Sequence, residues 1–206
     1  MLLVVGGHSR NIGKTSAAAG IIAALPEARW TAVKITQHGH GVCSAAGEPC
    51  QCALDLAHPY ALSEQHEPDS TDTGRFLAAG AVRSWWLRTA AGQLAYGLPS
   101  LRRIVDESEN VLLESNSVLG FLRPELYLVV IDPAVADWKT SARRQVDRAD
   151  AYLVVERPAP LPALPRKPAF LVRPPAYLSA GVVRFVAGRL ALAKVAPPAG
   201  AAPGTL

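Results

Sequence analysis

The sequence predicts a three-layer α/β domain on a mostly parallel sheet, and three observations point there. Short continuous apolar runs recur along the chain, and such runs suit strands covered on both faces. Helix-forming stretches alternate with them, as the crossovers between parallel strands require. The 206 residues, 50% hydrophobic and 18% charged, suit one domain of ordinary size with its own core.

Leu2-Leu3-Val4-Val5 forms the first strand, which Gly6-Gly7 ends. Residues 15–25 are Ala-rich and favour helix until Pro26. A second strand is expected at 30–36. From Gln37 to about Ser70 the chain reads as irregular, with three Cys, four His and several Gly and Pro. A loop of that length is expected to be functional or ordered by something it binds. Residues 71–81 suit a helix, with Asp72 in the first turn where acids are favoured. Residues 82–87 suit a strand on which Trp85 and Trp86 face opposite sides, as core and interface. A helix follows at 93–107, although Gly97 and Pro99 blur its start. Buried strands are expected at 110–114 and 125–132, a helix at 141–148 and a strand at 151–156. Residues 157–167 are proline-rich and extended, 169–172 make a last strand, and 179–193 a closing helix. The expected organisation is one domain over 1–194 with a Cys/His-rich insertion at about 37–70. Residues 195–206, rich in Pro, Gly and Ala, read as a disordered tail.

The chemistry is concentrated in Gly7-His8-Ser9-Arg10-Asn11-Ile12-Gly13-Lys14-Thr15-Ser16. Between a buried strand and an Ala-rich helix, this segment reads as a phosphate-binding loop. Successive backbone N–H groups wrap phosphates there, and the helix N-terminus adds favourable potential. Lys14 reaches the β- and γ-phosphates, Thr15 supplies a hydroxyl to Mg²⁺, and Gly13 permits close approach. His8 stands where the strict pattern has glycine, with Gly6 and Gly7 just upstream. His8, Ser9, Arg10, Asn11, Ile12, Gly13, Lys14, Thr15 and Ser16 are thus the expected nucleotide contacts, joined by Lys34 at the end of the second strand. An ordinary strand-turn-helix remains the alternative.

Mg²⁺ needs hard oxygen ligands. Glu114 closes Val111-Leu112-Leu113 at the carboxyl end of its strand, where α/β sheets bind ligands, and Asp72 starts a helix after the long loop. Asp132 closes another strand, but Pro133 after it suggests a turn. The expected Mg²⁺ ligands are Thr15, Asp72 and Glu114; the expected catalytic set is Lys14, Arg10 and Glu114, with Arg10 near the γ-phosphate as cis arginines are in some hydrolases. Lys34 suits either a phosphate or carboxylate contact or a structural ion pair. Arg75 suits a local salt bridge or a substrate contact. His38, His40, Cys43, Cys50 and Cys52 place five soft or borderline ligands within fifteen residues, a set that zinc or an iron–sulfur cluster would use. The alternative is buried thiols and solvated imidazoles.

With these residues in place the chain resembles the MobB-type family, the nucleotide-binding adaptor of molybdopterin-guanine dinucleotide biosynthesis. The resemblance covers about residues 1–155: the early phosphate loop, Val33-Lys34-Ile35-Thr36-Gln37-His38, Asp72-Thr73-Gly74-Arg75-Phe76 leading to Ala79-Gly80-Ala81, and Leu112-Leu113-Glu114-Ser115. More distantly it is similar to dethiobiotin synthetases and metal-inserting GTPases. In the synthetases a loop Thr, an Asp and a strand-end Glu hold the metal, which implies Thr15, Asp72 and Glu114 here. Ser115-Asn116-Ser117 stands where the family has glycine after the Glu, and no Asn-Lys-x-Asp motif follows Leu153-Val154-Val155. The resemblance implies a P-loop NTPase fold and slow, Mg²⁺-dependent hydrolysis of GTP or ATP. Its alternatives are a metallochaperone-type NTPase using the Cys/His loop and an ATP-dependent ligase or kinase acting on a small acid. A partner protein and a homodimer are compatible with each.

Net charge is +4, from 16 Arg and 5 Lys against 17 acids, a scattered excess that does not imply nucleic acid. No leader is recognisable, no apolar run is long enough for a membrane span, and the odd cysteine count suits reduced thiols. A cytoplasmic location is expected.

Overall fold

The computed structural model describes residues 1–38 and 58–195. Among these, β1 (Leu2–Gly7), β2 (Trp30–His38), β3 (Tyr60–Gln65), β4 (Arg83–Ala90), β5 (Asn110–Glu114), β6 (Leu126–Ile131), β7 (Ala151–Val155) and β8 (Ala169–Val172) join in one sheet. Their order is β3-β4-β2-β5-β1-β6-β7-β8, and every pairing is parallel except β3 with β4. β1, β5, β6 and β7 are buried along their whole length, as continuous apolar runs require.

Two hydrophobic layers flank the sheet. One lies under α1 (Lys14–Ala24), α2 (Asp72–Ala78) and α5 (Ala180–Val195), through Ile21, Phe76 and Val186. The other lies under α3 (Leu94–Asp106), through Leu94, Leu98, Leu101 and Ile104. Fully burying one such side chain contributes about 1.5–3 kcal/mol. This is the three-layer, mostly parallel α/β architecture expected. α3 starts at Leu94 and carries Pro99 within it. Gly97 allows the close approach of that helix, because a Cβ there would stand 2.9 Å from Leu87 of β4.

The structure departs from the sequence reading in two places. Part of the stretch from Gln37 to Ser70 is regular: Gln37 and His38 extend β2, and Tyr60–Gln65 forms β3 at the sheet edge. Of β3, Tyr60 and Leu62 pack against the core, so it lacks a continuous apolar run. The helix expected at 141–148 is one short α-turn, α4 (Thr140–Arg143), followed by a 3₁₀ turn at Val146–Arg148. Only Ala142 of α4 is buried, which leaves no apolar face to hold a longer helix.

Candidate functional site

β1 occupies the middle of the sheet and delivers the 8–13 loop to the carboxyl ends of its neighbours, the side where such sheets take ligands. Asn11 (φ 52°) and Gly13 (φ 90°) are left-handed, and the second opens α1. The first intrahelical bond runs from the Ala17 N–H to the Gly13 carbonyl at 2.8 Å, and no side chain caps the helix. The N–H groups of Lys14, Thr15 and Ser16 therefore precede the helical ladder, as an anion site requires. The Lys14 ammonium curls back to donate to the Ser9 carbonyl at 2.6 Å. Burial lowers its pKa to about 8, although Glu114 opposes the shift.

Under the first turn of α1 lies a charged cluster. The Thr15 hydroxyl donates to one oxygen of Glu114 at 2.7 Å, and Lys34 donates to the other at 2.5 Å. Lys34 also pairs with Asp72 at 2.9 Å. The register explains the meeting: Glu114 stands opposite Val5 of β1 and Lys34 of β2. Burial disfavours the Lys34 charge, but Glu114 and Asp72 outweigh it and raise its pKa. Burial likewise opposes the Asp72 charge, while Lys34 and the Thr15 hydroxyl hold its pKa below the usual value. Asp72 starts α2, which Thr71 caps through the Gly74 N–H at 3.1 Å. Arg75 lies 4.0 Å from Asp72 and donates to the Ser16 hydroxyl at 2.8 Å. Thr15, Lys34, Asp72, Arg75 and Glu114 thus converge, and Lys34 adopts the ion-pair alternative.

The structure adds residues that the sequence reading missed. Asn116 clamps Gly7, accepting from its N–H at 2.9 Å and donating to its carbonyl at 2.8 Å. A Cβ on Gly6 would stand 2.2 Å from the Asn116 side-chain oxygen. Gly6 thus leaves the room that the Asn116 clamp on Gly7 needs. Tyr177 lies so close to Gly13 that a Cβ there would stand 2.1 Å from its ring.

His8 is fully buried, and its Nε2 meets the Val135 carbonyl at 2.9 Å. Its ring packs against Trp138 with centroids 4.8 Å apart, and its carbonyl accepts the Lys139 N–H at 2.9 Å. His8 departs from the glycine pattern of the loop, and its partners lie some 130 residues away and carry no local signal.

Ser9 and Ile12 are buried, while Arg10 is half-buried in the loop. Asp132 turns away from the cluster, accepting from the Ala134 N–H at 3.0 Å and pairing with Arg157 at 3.5 Å. His38 is buried at the end of β2. His40, Cys43, Cys50 and Cys52 lie outside the described residues. Among the described residues no group of three or more His, Cys, Asp or Glu is arranged to hold a metal, and no helix is long and apolar enough to cross a membrane.

No protein-family model matches the chain, and no curated protein matches it. Among solved structures, LpxK from Aquifex aeolicus, described as an "apo" form in complex with ATP, matches with a TM-score of 0.45 at 14% sequence identity. The match covers 82% of this chain and 53% of LpxK, so the chain spans about half the length of that protein.

Proposed function

We propose that this chain binds a nucleoside triphosphate with Mg²⁺ in the β1–α1 loop and hydrolyses it slowly. The observation that carries the reading is the Thr15–Glu114 bond beneath an uncapped helix start, beside Lys14 and Lys34. It joins the loop hydroxyl to a strand-end carboxylate, a pair of hard oxygens suited to Mg²⁺ with phosphate oxygens and water. Thr15, Glu114 and Asp72 would hold the ion, which supplies charge neutralisation at the β- and γ-oxygens when bound. Lys34 pairs with both carboxylates and would stand beside the phosphates of a bound nucleotide.

Lys14 leaves the Ser9 carbonyl to meet the terminal phosphates, and the N–H groups of the loop bind their oxygens. Water attacks the γ-phosphorus, forming one P–O bond as the bond to the β–γ bridging oxygen breaks, and its proton leaves to solvent. Lys14 and Arg10 stabilise the charge that gathers on the leaving oxygens. The place of this activity in molybdenum cofactor biosynthesis is our reading of the MobB-type resemblance in the four segments named above. A second reading, phosphoryl transfer to a small acid, is favoured by Arg75, which links α2 to Ser16 at the mouth of the loop.

The test is Lys14→Ala in the full chain. Calorimetry with Mg²⁺-ATP and Mg²⁺-GTP is expected to show binding to wild type and none to the variant, with the melting temperature preserved. Wild-type affinity in the variant overturns the reading. Product formation that depends on an added small acid would move it to the second.

A further inference from the structure

The loop that carries the phosphate site is strapped from outside. After β6 the chain doubles back, and residues 135–139 dock on His8 and Ser9 through four contacts. Three belong to His8: its ring nitrogen to the Val135 carbonyl at 2.9 Å, its ring to Trp138 at 4.8 Å, and its carbonyl to the Lys139 N–H at 2.9 Å. The fourth runs from the Ser9 hydroxyl to Asp137 at 3.5 Å. His8 is 0% exposed, so its side of the docking is sealed from water, while Asp137 is exposed. It brings Lys139 to the rim of the loop, half-buried, immediately before α4.

Lys139 has no ion pair among the described residues, while Arg10, Lys14 and Lys34 all bear on its charge. The carboxylate that opposes them is Glu114, and Lys34 and Thr15 already occupy both of its oxygens. Arg10, Lys14, Lys34 and Lys139 therefore gather about Glu114, with Asp72 as a second acid beside Lys14 and Lys34, an excess of positive charge in a partly dehydrated site. Burying an ammonium without a counter-ion is costly unless a ligand supplies one.

We propose that Lys139 is a further phosphate-contacting residue, one more lysine on the bound polyphosphate, delivered to the loop by the His8–Trp138 strap. This rests on the nucleotide-binding reading above and extends it. His8, the departure from the glycine pattern, becomes the docking point, and Trp138 is a positioning residue. Burial and the neighbouring cations lower the Lys139 pKa to about 8, in keeping with an ammonium whose partner is an incoming anion.

The experiment compares Lys139→Met, Lys139→Arg and Trp138→Leu with wild type in the full chain. The probes are Mg²⁺-ATP and inorganic triphosphate, read by calorimetry, with melting temperature as the second readout. Lys139→Met is expected to weaken both ligands by about tenfold or more, as a charge-assisted contact implies, and to raise the melting temperature of the ligand-free protein. Lys139→Arg restores most of the affinity, and Trp138→Leu weakens both ligands equally. The salt dependence of binding becomes shallower in Lys139→Met, as loss of one phosphate contact requires. Unchanged triphosphate affinity, or a lowered melting temperature with unchanged salt dependence, overturns the assignment. Wild type that binds neither probe overturns it together with the nucleotide reading; wild type that binds while Lys139→Met binds equally overturns the lysine alone.

Discussion

Glu114 and Asp132 invite comparison, because each closes an apolar strand beside β1 and each is buried, at 2% and 6% exposure. Their surroundings differ. Glu114 is level with Val5, beneath the start of α1, and meets Thr15 and Lys34. Asp132 lies beyond Val130, which is already level with Gly7. There the chain turns at Pro133, and the carboxylate caps that turn and pairs with Arg157. Two strand-end acids of similar sequence character thus acquire separate roles from their height along the sheet. The lower one lies under the 8–13 loop, and the higher one passes it.

The largest effect that would sharpen this contrast comes from Glu114→Gln. Removing one partner of a buried ion pair is expected to destabilise by about 3 kcal/mol, softened here because Lys34 keeps Asp72. The same change should raise the Mg²⁺ needed for hydrolysis by about tenfold or more, since a charged ligand contributes on the order of 1.5–3 kcal/mol. Mg²⁺ titrations of hydrolysis check this, and curves identical to wild type would break the contrast. Asp72→Asn should act in the same direction but less strongly, because Asp72 is more exposed than Glu114.

A pH effect follows from the lowered lysines. Burial and the neighbouring cations lower the Lys139 pKa to about 8, against 10.5 in an unfolded chain. The unfolded state therefore holds more protons between those values, and this site's destabilisation is present below about pH 8 and relieved as pH rises toward 10.5. The melting-temperature gap between Lys139→Met and wild type should narrow over that window. Because an anionic ligand stabilises the protonated forms of Lys14 and Lys139, triphosphate affinity should be level below about pH 8 and fall above it. Calorimetry across that range measures it, and a rising affinity would count against both lysines as phosphate contacts. The smallest expected effect is that of Asp132→Asn: a loss of about 1 kcal/mol or less, since Arg157 is largely solvent-screened. Its Mg²⁺ titration should match wild type, and a shift there would erase the distinction between the two acids.

Much of this was legible beforehand. β5 and β8 lie at the expected residues, because a continuous apolar run bounded by polar residues has little else it can be. Thr15, Asp72 and Glu114 converge because they begin or end elements on the carboxyl side of the sheet, whereas Lys34, expected at a strand end, lies within the longer β2 and meets them because it stands opposite Glu114. β3 was not legible, since an edge strand with Ser63, Glu64 and Gln65 has neither an apolar run nor a clean alternation. The strap was not legible either. Val135, Asp137, Trp138 and Lys139 sit in an irregular stretch whose meaning depends on a partner distant in sequence.

The sequence by itself determined the alternation of strands and helices and the place of the 8–13 loop between a buried strand and an Ala-rich helix. These depend on local patterns: apolar runs, glycine at a left-handed position, and a helix start that follows a strand. Only the tertiary structure decided which strand-end acid lies beneath Thr15, what His8 and Asn116 hold in place, and that Lys139 comes to the rim of the loop. Those outcomes depend on strand order and register, which bring together residues on β1, β2, β5 and the segment after β6. Register is set by the packing of whole faces against the two hydrophobic layers, and no short stretch of sequence encodes it.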